Sequence, residues 1–159
     1  MTAKNIRGVA LVVQNLQGQI LVLQEYETKP HFGKRCGMFS IPMETVEPGE
    51  SDPCAMVRLV ADELPGLELG NEQILGSRIG IYRVVPRVWV NLYSTRTENG
   101  QLPNSGGHEV GNHQWMAPEI ALHLWLRQGA WEMIRDFMSK KRNALCRRCR
   151  IPDRAFEPR

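Results

Sequence analysis

An α/β fold in one domain is what this sequence predicts, and three observations lead there. Val9 to Val13 is an unbroken apolar run, which suits a central strand covered on both faces. Further strand-like runs alternate with stretches of helical period, two of which open with a proline in the first turn. The chain has 159 residues, 42% apolar and 23% charged, which is enough for one substantial core and ordinary for a globular domain.

Taken in order, Ile6 to Val13 and Gln19 to Tyr26 read as two strands joined by a turn at Gln14–Gly18. Glu27 to Gly37 is a polar loop, to first reading a solvated one. It holds His31, Lys34 and Arg35 just ahead of the next strand, where a cation such as Arg35 can meet a phosphate. Met38, Phe39 and Ile41 form a short strand that turns at Pro42 and leads through Glu47-Pro48-Gly49-Glu50. A helix follows, with Asp52 as its cap and Pro53 at its first position, and Pro65-Gly66 stops it. At about 100° per residue, Met56, Val57, Val60, Ala61 and Leu64 fall on one arc, the expected buried side. Arg58, Asp62 and Glu63 fall on the other, with Ala55 and Leu59 between them.

Leu67 to Gly76 reads as connecting chain. Ser77 to Val85 and Arg87 to Arg96 are two more strands, broken at Pro86, which cannot donate to a sheet ladder, with Arg83 and Arg87 flanking the break. Trp89, Asn91 and Tyr93 share a strand face, and the aromatic pair is expected in the core. A loop over Thr97–Gly107 leads to a late strand, His108 to Met116, which starts with Glu109. A helix is expected from Ala117-Pro118-Glu119 through Gln128, carrying Leu122, Trp125 and Leu126 on one side. A last helix from Ala130 to about Leu145 carries an apolar stripe of Trp131, Ile134, Phe137 and Met138.

The stretch Glu44 to Gly66, with Glu50, Arg58, Val60, Asp62 and Glu63 at their spacing, resembles the Nudix box, G-x5-E-x7-R-E-U-x-E-E-x-G-U with U a bulky aliphatic. Among the departures from it, Glu44 stands for the first glycine, Leu59 for the glutamate after the arginine, Asp62 for a glutamate and Pro65 for the late glycine, with Gly66 one residue on. The resemblance extends over residues 6–138. It implies a Nudix-like α/β/α sandwich with a mixed central sheet, as one domain over 1–145 followed by a basic tail over 146–159.

It also implies a metal-dependent hydrolase that cleaves the diphosphate bond of a nucleoside diphosphate derivative with Mg²⁺ or Mn²⁺. Asp62 and Glu63 would hold the metal, joined by the backbone near Glu44, since oxygen ligands suit a hard cation that neutralises phosphate. Glu63 and Glu109 would be the catalytic carboxylates, Glu109 as the base that activates water. Glu50 and Arg58 would brace loop against helix, and Arg83, Arg87 and Arg35 would bind substrate. The alternative is a ligand-binding or regulatory module that kept the fold and lost turnover, which the missing carboxylate at Leu59 favours.

The rest of the sequence mainly excludes. Apolar runs are too short to span a membrane or serve as a signal segment, so a cytoplasmic protein is the default. Net charge is +3, concentrated at the basic end beyond Lys140. Nucleic-acid binding there is the lesser reading, behind a solvated end and a small nucleotide as the partner. A homodimer stays open. Cys146-Arg-Arg-Cys149 has the spacing of half a zinc site, but the other half is missing, so the four cysteines (Cys36, Cys54, Cys146, Cys149) read as free thiols.

Overall fold

Around the apolar run at Val9–Val13 the chain builds a mixed sheet. This is seen in a computed structural model that describes residues 4–103 and 109–148, with side chains for 4–70, 72–103 and 109–141. Its strands are β1 (Ile6–Gln14), β2 (Ile20–Glu25), β3 (Phe39–Ser40), β4 (Met43–Thr45), β5 (Ser77–Val85), β6 (Val88–Arg96) and β7 (Val110–Met116). The order is β3-β2-β1-β6-β5, with β4 also pairing β1 and β7 also pairing β2. β1 and β6 run parallel, in register from Ile6↔Val88 to Gln14↔Arg96, while the other pairs are antiparallel. The helices are α1 (Asp52–Glu63), α2 (Asn71–Leu75), α3 (Pro118–Ala121) and α4 (Ala130–Arg148). None of the described helices is long and apolar enough to cross a membrane.

Side-chain alternation along β1 divides the core in two. Val9, Leu11 and Val13 face one way, packing with Leu21 against Ala55, Met56, Leu59 and Val60 of α1. Ala10 and Val12 face the other way, into a cluster with Leu92, Ala121, Met133, Ile134 and Phe137. The sheet is therefore the middle layer of an α/β/α sandwich, with α1 on one face and α3 and α4 on the other.

Several elements differ from expectation. The buried face of α1 is turned by roughly 100° from the expected arc. Ala55, Met56, Leu59 and Val60 are buried, while Val57 and Ala61 are exposed. Leu59 in particular is 0% exposed; it is part of the core and not a wedge in an open acidic face. Glu63, expected on the arc opposite the packed one, lies near the middle of the packed face. The cap is Ser51, whose hydroxyl accepts from the Cys54 amide, so Asp52 and Pro53 sit inside the first turn.

The expected helix over 117–128 is a single turn, α3. The chain then runs extended beside β3: the Phe39 amide donates to the Trp125 carbonyl at 2.7 Å, and the Arg127 amide to the Phe39 carbonyl at 2.9 Å. Trp125 is exposed as a result. Trp131 and Trp89, both expected in the core, are 41% and 39% exposed; Arg135 covers the Trp131 ring at 5.0 Å. Residues 67–76 contain the short helix α2. The backbone of α4 continues past the boundary expected at 145 to Arg148. Cys149 and the rest of the tail lie outside the described residues, as does the Cys146 side chain, while Cys36 and Cys54 are free and exposed.

Since Leu59 fills space between α1 and β1, Leu59→Ala is expected to lower the free energy of unfolding by about 2–5 kcal/mol through loss of burial and the cavity left behind. Urea denaturation of the two proteins measures it.

Candidate active site

A bidentate ion pair fixes the helix that carries the acids. Arg58 donates from Nε to Glu50 Oε2 at 2.8 Å and from Nη2 to Glu50 Oε1 at 2.7 Å, with a further bond from Nη2 to the Thr45 carbonyl at 2.7 Å. Two parallel bonds between a guanidinium and a carboxylate define geometry as well as adding energy. The Glu47 amide donates back to Glu50 Oε1 at 3.0 Å. The loop at 45–50 is thereby tied to the middle of α1, and the Arg58 bonds hold the Glu50 carboxyl down at about 2. Glu44 stands 3.6 Å from Arg58 Nη1. Arg58 spends its donors on the loop, and the i, i+4 pair with Asp62 that sequence spacing allows is not formed.

The last turn of α1 ends at a pocket of about 450 Å³ whose lining includes Glu44, Asp62, Glu63 and Glu109, within the usual size for a small-molecule site. Glu63 is held in place from two sides. The Met43 amide donates to its Oε2 at 2.8 Å, and His113 Nε2 donates to its carbonyl at 2.7 Å. Burial pushes the Glu63 carboxyl well above its ordinary range, helped by repulsion from Glu25 and partly opposed by the Met43 amide. Glu44 is raised as well, first by burial and then by Asp62, against the pull of Arg58. Asp62 is exposed and, among the described residues, its carboxylate is neither hydrogen-bonded nor ion-paired. Glu109, at the foot of β7, is largely exposed, with Lys29 Nζ at 3.4 Å.

Glu44 occupies ordinary strand backbone opposite Val9. It is not among the non-glycine residues with positive φ, which are Arg87 and Asn112, so replacing the box's first glycine strains nothing here.

The cations of the pocket are not the expected ones. Arg35, Arg83 and Arg87 are exposed and are absent from its lining, which takes Lys29, Lys34 and Arg127 instead. Lys34 Nζ lies 3.2 Å from Glu25 Oε2, and Arg127 Nη1 lies 3.0 Å from Glu25 Oε1. All three residues are buried. Arg127 also donates to the Phe32 carbonyl at 2.8 Å, while its Nε is buried without a partner. The loop between them needs a glycine at Gly33 (φ 73°), since a Cβ there would lie 2.9 Å from Gln128 and Val85. Lys34 was in view in the sequence as a loop cation. Arg127 gave no local signal, because it was placed on a helix that does not form.

The donor set fits a hard divalent cation, within a limit. Among the described residues no group of three or more His, Cys, Asp or Glu side chains is arranged to hold a metal by itself. Glu63 and Asp62 nevertheless present oxygens to a pocket where carboxylates repel one another, and a cation relieves that repulsion. Mg²⁺ commonly takes one or two carboxylates and fills its shell with water and substrate phosphate. That mode is the one this arrangement suits.

The chain matches the NUDIX domain over residues 4–137. No curated protein matches it in sequence. Solved structures resemble it at low identity. The MutT protein from Methanosarcina mazei Go1 superposes with TM-score 0.67 at 17% identity, covering 89% of this chain and 98% of that one. An Ap4A hydrolase from C. elegans, seen as a binary complex, gives 0.62 at 20% identity over 87% and 98%. The bifunctional NMN adenylyltransferase/ADP ribose pyrophosphatase from Francisella tularensis, complexed with AMP and Mn ion, gives 0.66 at 17% identity, covering 88% of this chain and 43% of that one.

The lowered Glu50 carboxyl carries a pH signature. A carboxyl at about 2 in the folded chain, against 4.5 unfolded, adds stability that is complete above 4.5 and is lost as pH falls toward 2. Glu50→Gln is therefore expected to be less stable than the wild type at neutral pH, with the gap closing through that window. Urea unfolding at a series of pH values reads it out.

Proposed function

The chain belongs to the NUDIX domain family, and from that premise we propose that it hydrolyses the diphosphate bond of a nucleoside diphosphate derivative with Mg²⁺ or Mn²⁺. The observation that carries this reading is the composition of the pocket. Glu63 and Asp62 enter it from one helix end, and Lys29, Lys34 and Arg127 line it as well. Carboxylates alone would repel a diphosphate and cations alone would not hold a metal; together they suit a metal–diphosphate pair. One structure of similar fold complexed with AMP and Mn ion, and another of an Ap4A hydrolase, support the same chemical class.

On this reading Asp62 and Glu63 hold the cation, whose chemistry when bound is to neutralise phosphate charge and stabilise the leaving group. The Met43 amide and His113 fix Glu63, so little reorganisation is needed when substrate arrives. Lys34 and Arg127, clamped on Glu25, give the phosphates a fixed positive wall. Glu109 has one long contact, to Lys29, which leaves it free to accept a proton from an attacking water. Glu50 and Arg58 act through position, holding α1 and the 45–50 loop together.

A second reading, a ligand-binding module without turnover, has one specific observation in its favour. Leu59 is fully buried and does not line the pocket, so the carboxylate that the family places there has no substitute at that position.

The two readings part in one experiment. Nucleoside diphosphate sugars, dinucleoside polyphosphates and NADH are incubated with the protein and Mn²⁺ or Mg²⁺, and products are separated by chromatography. Hydrolysis is expected with at least one of these classes, to be abolished by chelator and lowered at least ~100-fold in kcat by Glu63→Gln or Glu109→Gln. Calorimetric binding of nucleotide plus Mn²⁺ with no product would select the second reading. Activity unchanged in Glu63→Gln would remove the site assignment.

A further inference from the structure

A second groove, of about 1010 Å³, opens at the other end of the same strands. Its lining includes Arg78 of β5, Arg96 of β6 and Lys140 and Lys141 of α4, with Glu72 as an acid among them. The first pocket takes Ile6 and Gly8 of β1, and this groove takes Gln14. Six to eight residues at ~3.3 Å each put the two roughly 20–26 Å apart, so the groove is not an extension of the carboxylate pocket.

Like charges are held together here with few counterions. The Arg96 guanidinium is exposed and, among the described residues, donates no hydrogen bond and joins no ion pair; the Arg96 contact seen is its carbonyl, which accepts from Gln73 at 3.0 Å. Lys141 is half-buried beside it, and burial followed by the Arg96 charge pushes its ammonium down, against a smaller opposing pull from Glu119. Lys140 is fixed by a 2.7 Å bond to the Ile79 carbonyl, and Arg78 by one of 3.2 Å to Asn91. Ser77 and Thr95 add hydroxyls to the lining. Four cations against the lining carboxylate of Glu72 and the weaker pull of Glu119 on Lys141, with hydroxyl donors between them, are the chemistry of a phosphate-bearing anion.

The chain's own end does not suit this groove. Residues 142–159 carry Arg142, Arg147, Arg148, Arg150, Arg154 and Arg159 against Asp153 and Glu157, and that sign is repelled. The same run extends the positive charge in sequence well past what one mononucleotide can neutralise. An aromatic ring does line the groove, but it is Phe137, which belongs to the core and offers bases little to stack on. We propose that this groove binds the phosphate backbone of a nucleic-acid strand, without sequence preference and independently of the carboxylate pocket.

The test is fluorescence anisotropy of the full chain with a labelled single-stranded RNA of mixed sequence, about 20 nucleotides long, across a KCl series. Binding is expected to weaken with salt. The double variant Arg96→Gln/Lys141→Gln is expected to bind about 10-fold more weakly, with a log–log salt slope shallower by about 1.4, the equivalent of two phosphate contacts on a single strand. Arg96→Gln alone, which removes no protein hydrogen bond, should give an intermediate loss with an unchanged thermal melt, which keeps the result apart from misfolding. Asp62→Asn should bind the RNA as the wild type does. The proposal is overturned by any of four results. These are no RNA binding, wild-type affinity in the double variant (the terminal run then binds alone), loss of binding in Asp62→Asn, and displacement by inorganic pyrophosphate or ADP as effective as by unlabelled RNA, which would make this a small-anion site.

Discussion

One buried carboxylate sets the shape and charge of the pocket at the end of α1. Glu25, 1% exposed at the end of β2, is met by Lys34 from the loop before β3 and by Arg127 from the segment after α3. Lys34 lies nine residues along the chain from Glu25, whereas Arg127 lies 102 away. A buried charge left without partners is strongly destabilising, so burying Glu25 forces both segments onto the sheet. The consequences spread from there. Arg127 captures the Phe32 carbonyl and orders the turn at Pro30–Phe32. The segment 125–127 bonds to Phe39 and covers the edge of β3. The charge of Glu25, second only to burial, raises the Glu63 carboxyl. The wall that could meet a phosphate and the acid that could meet a cation are thus adjusted by the same buried group.

What the sequence disclosed follows from the range of the forces involved. Strands β1, β2, β5 and β6 were legible because their apolar runs and turn residues are local signals, and α1 because its start and stop residues are. The phase of α1 was not legible. A wheel reports which residues are alike, and Glu63 is polar yet sits on the packed face, where the Met43 amide donates to its carboxylate and His113 to its main-chain carbonyl. The expected helix over 117–128 failed for a related reason. Leu122, Trp125 and Leu126 have helical spacing, but hydrogen bonds to Phe39 and the pull of Glu25 on Arg127 favour an extended path, and both partners are about 90 or more residues away. Trp89 and Trp131 were misplaced because ring size predicts burial only when a second layer exists to cover the ring.

The candidate site was half visible for the same physical reason. Spacing within one helix put Arg58, Asp62 and Glu63 together, and the loop before it supplied Glu50. The cations that line the pocket depend on which distant loops fold over the sheet, so Arg35, Arg83 and Arg87, reasonable by composition, lie outside its lining. Lys29, Lys34 and Arg127 hold those places.

The buried Leu59 has a consequence for how the proposed site would work. With no carboxylate at that position, and with Glu44 drawn toward Arg58, Asp62 and Glu63 are the oxygens best placed for a cation. A single hard cation wants about six oxygens, and Mg²⁺ gives up water reluctantly. Two carboxylates beside Lys29, Lys34 and Arg127 would hold it weakly, and those three cations would hold a diphosphate against the repulsion of four acids. Each ligand supplies what the other lacks: the metal cancels carboxylate repulsion toward phosphate, and the phosphates complete the metal's shell. Linkage then requires that each raise the affinity for the other by the same factor. On this reading the loss of one acid does not empty the site; it moves the site from a standing metal centre to one assembled with its substrate, and the metal requirement would be set by the diphosphate rather than by the protein alone.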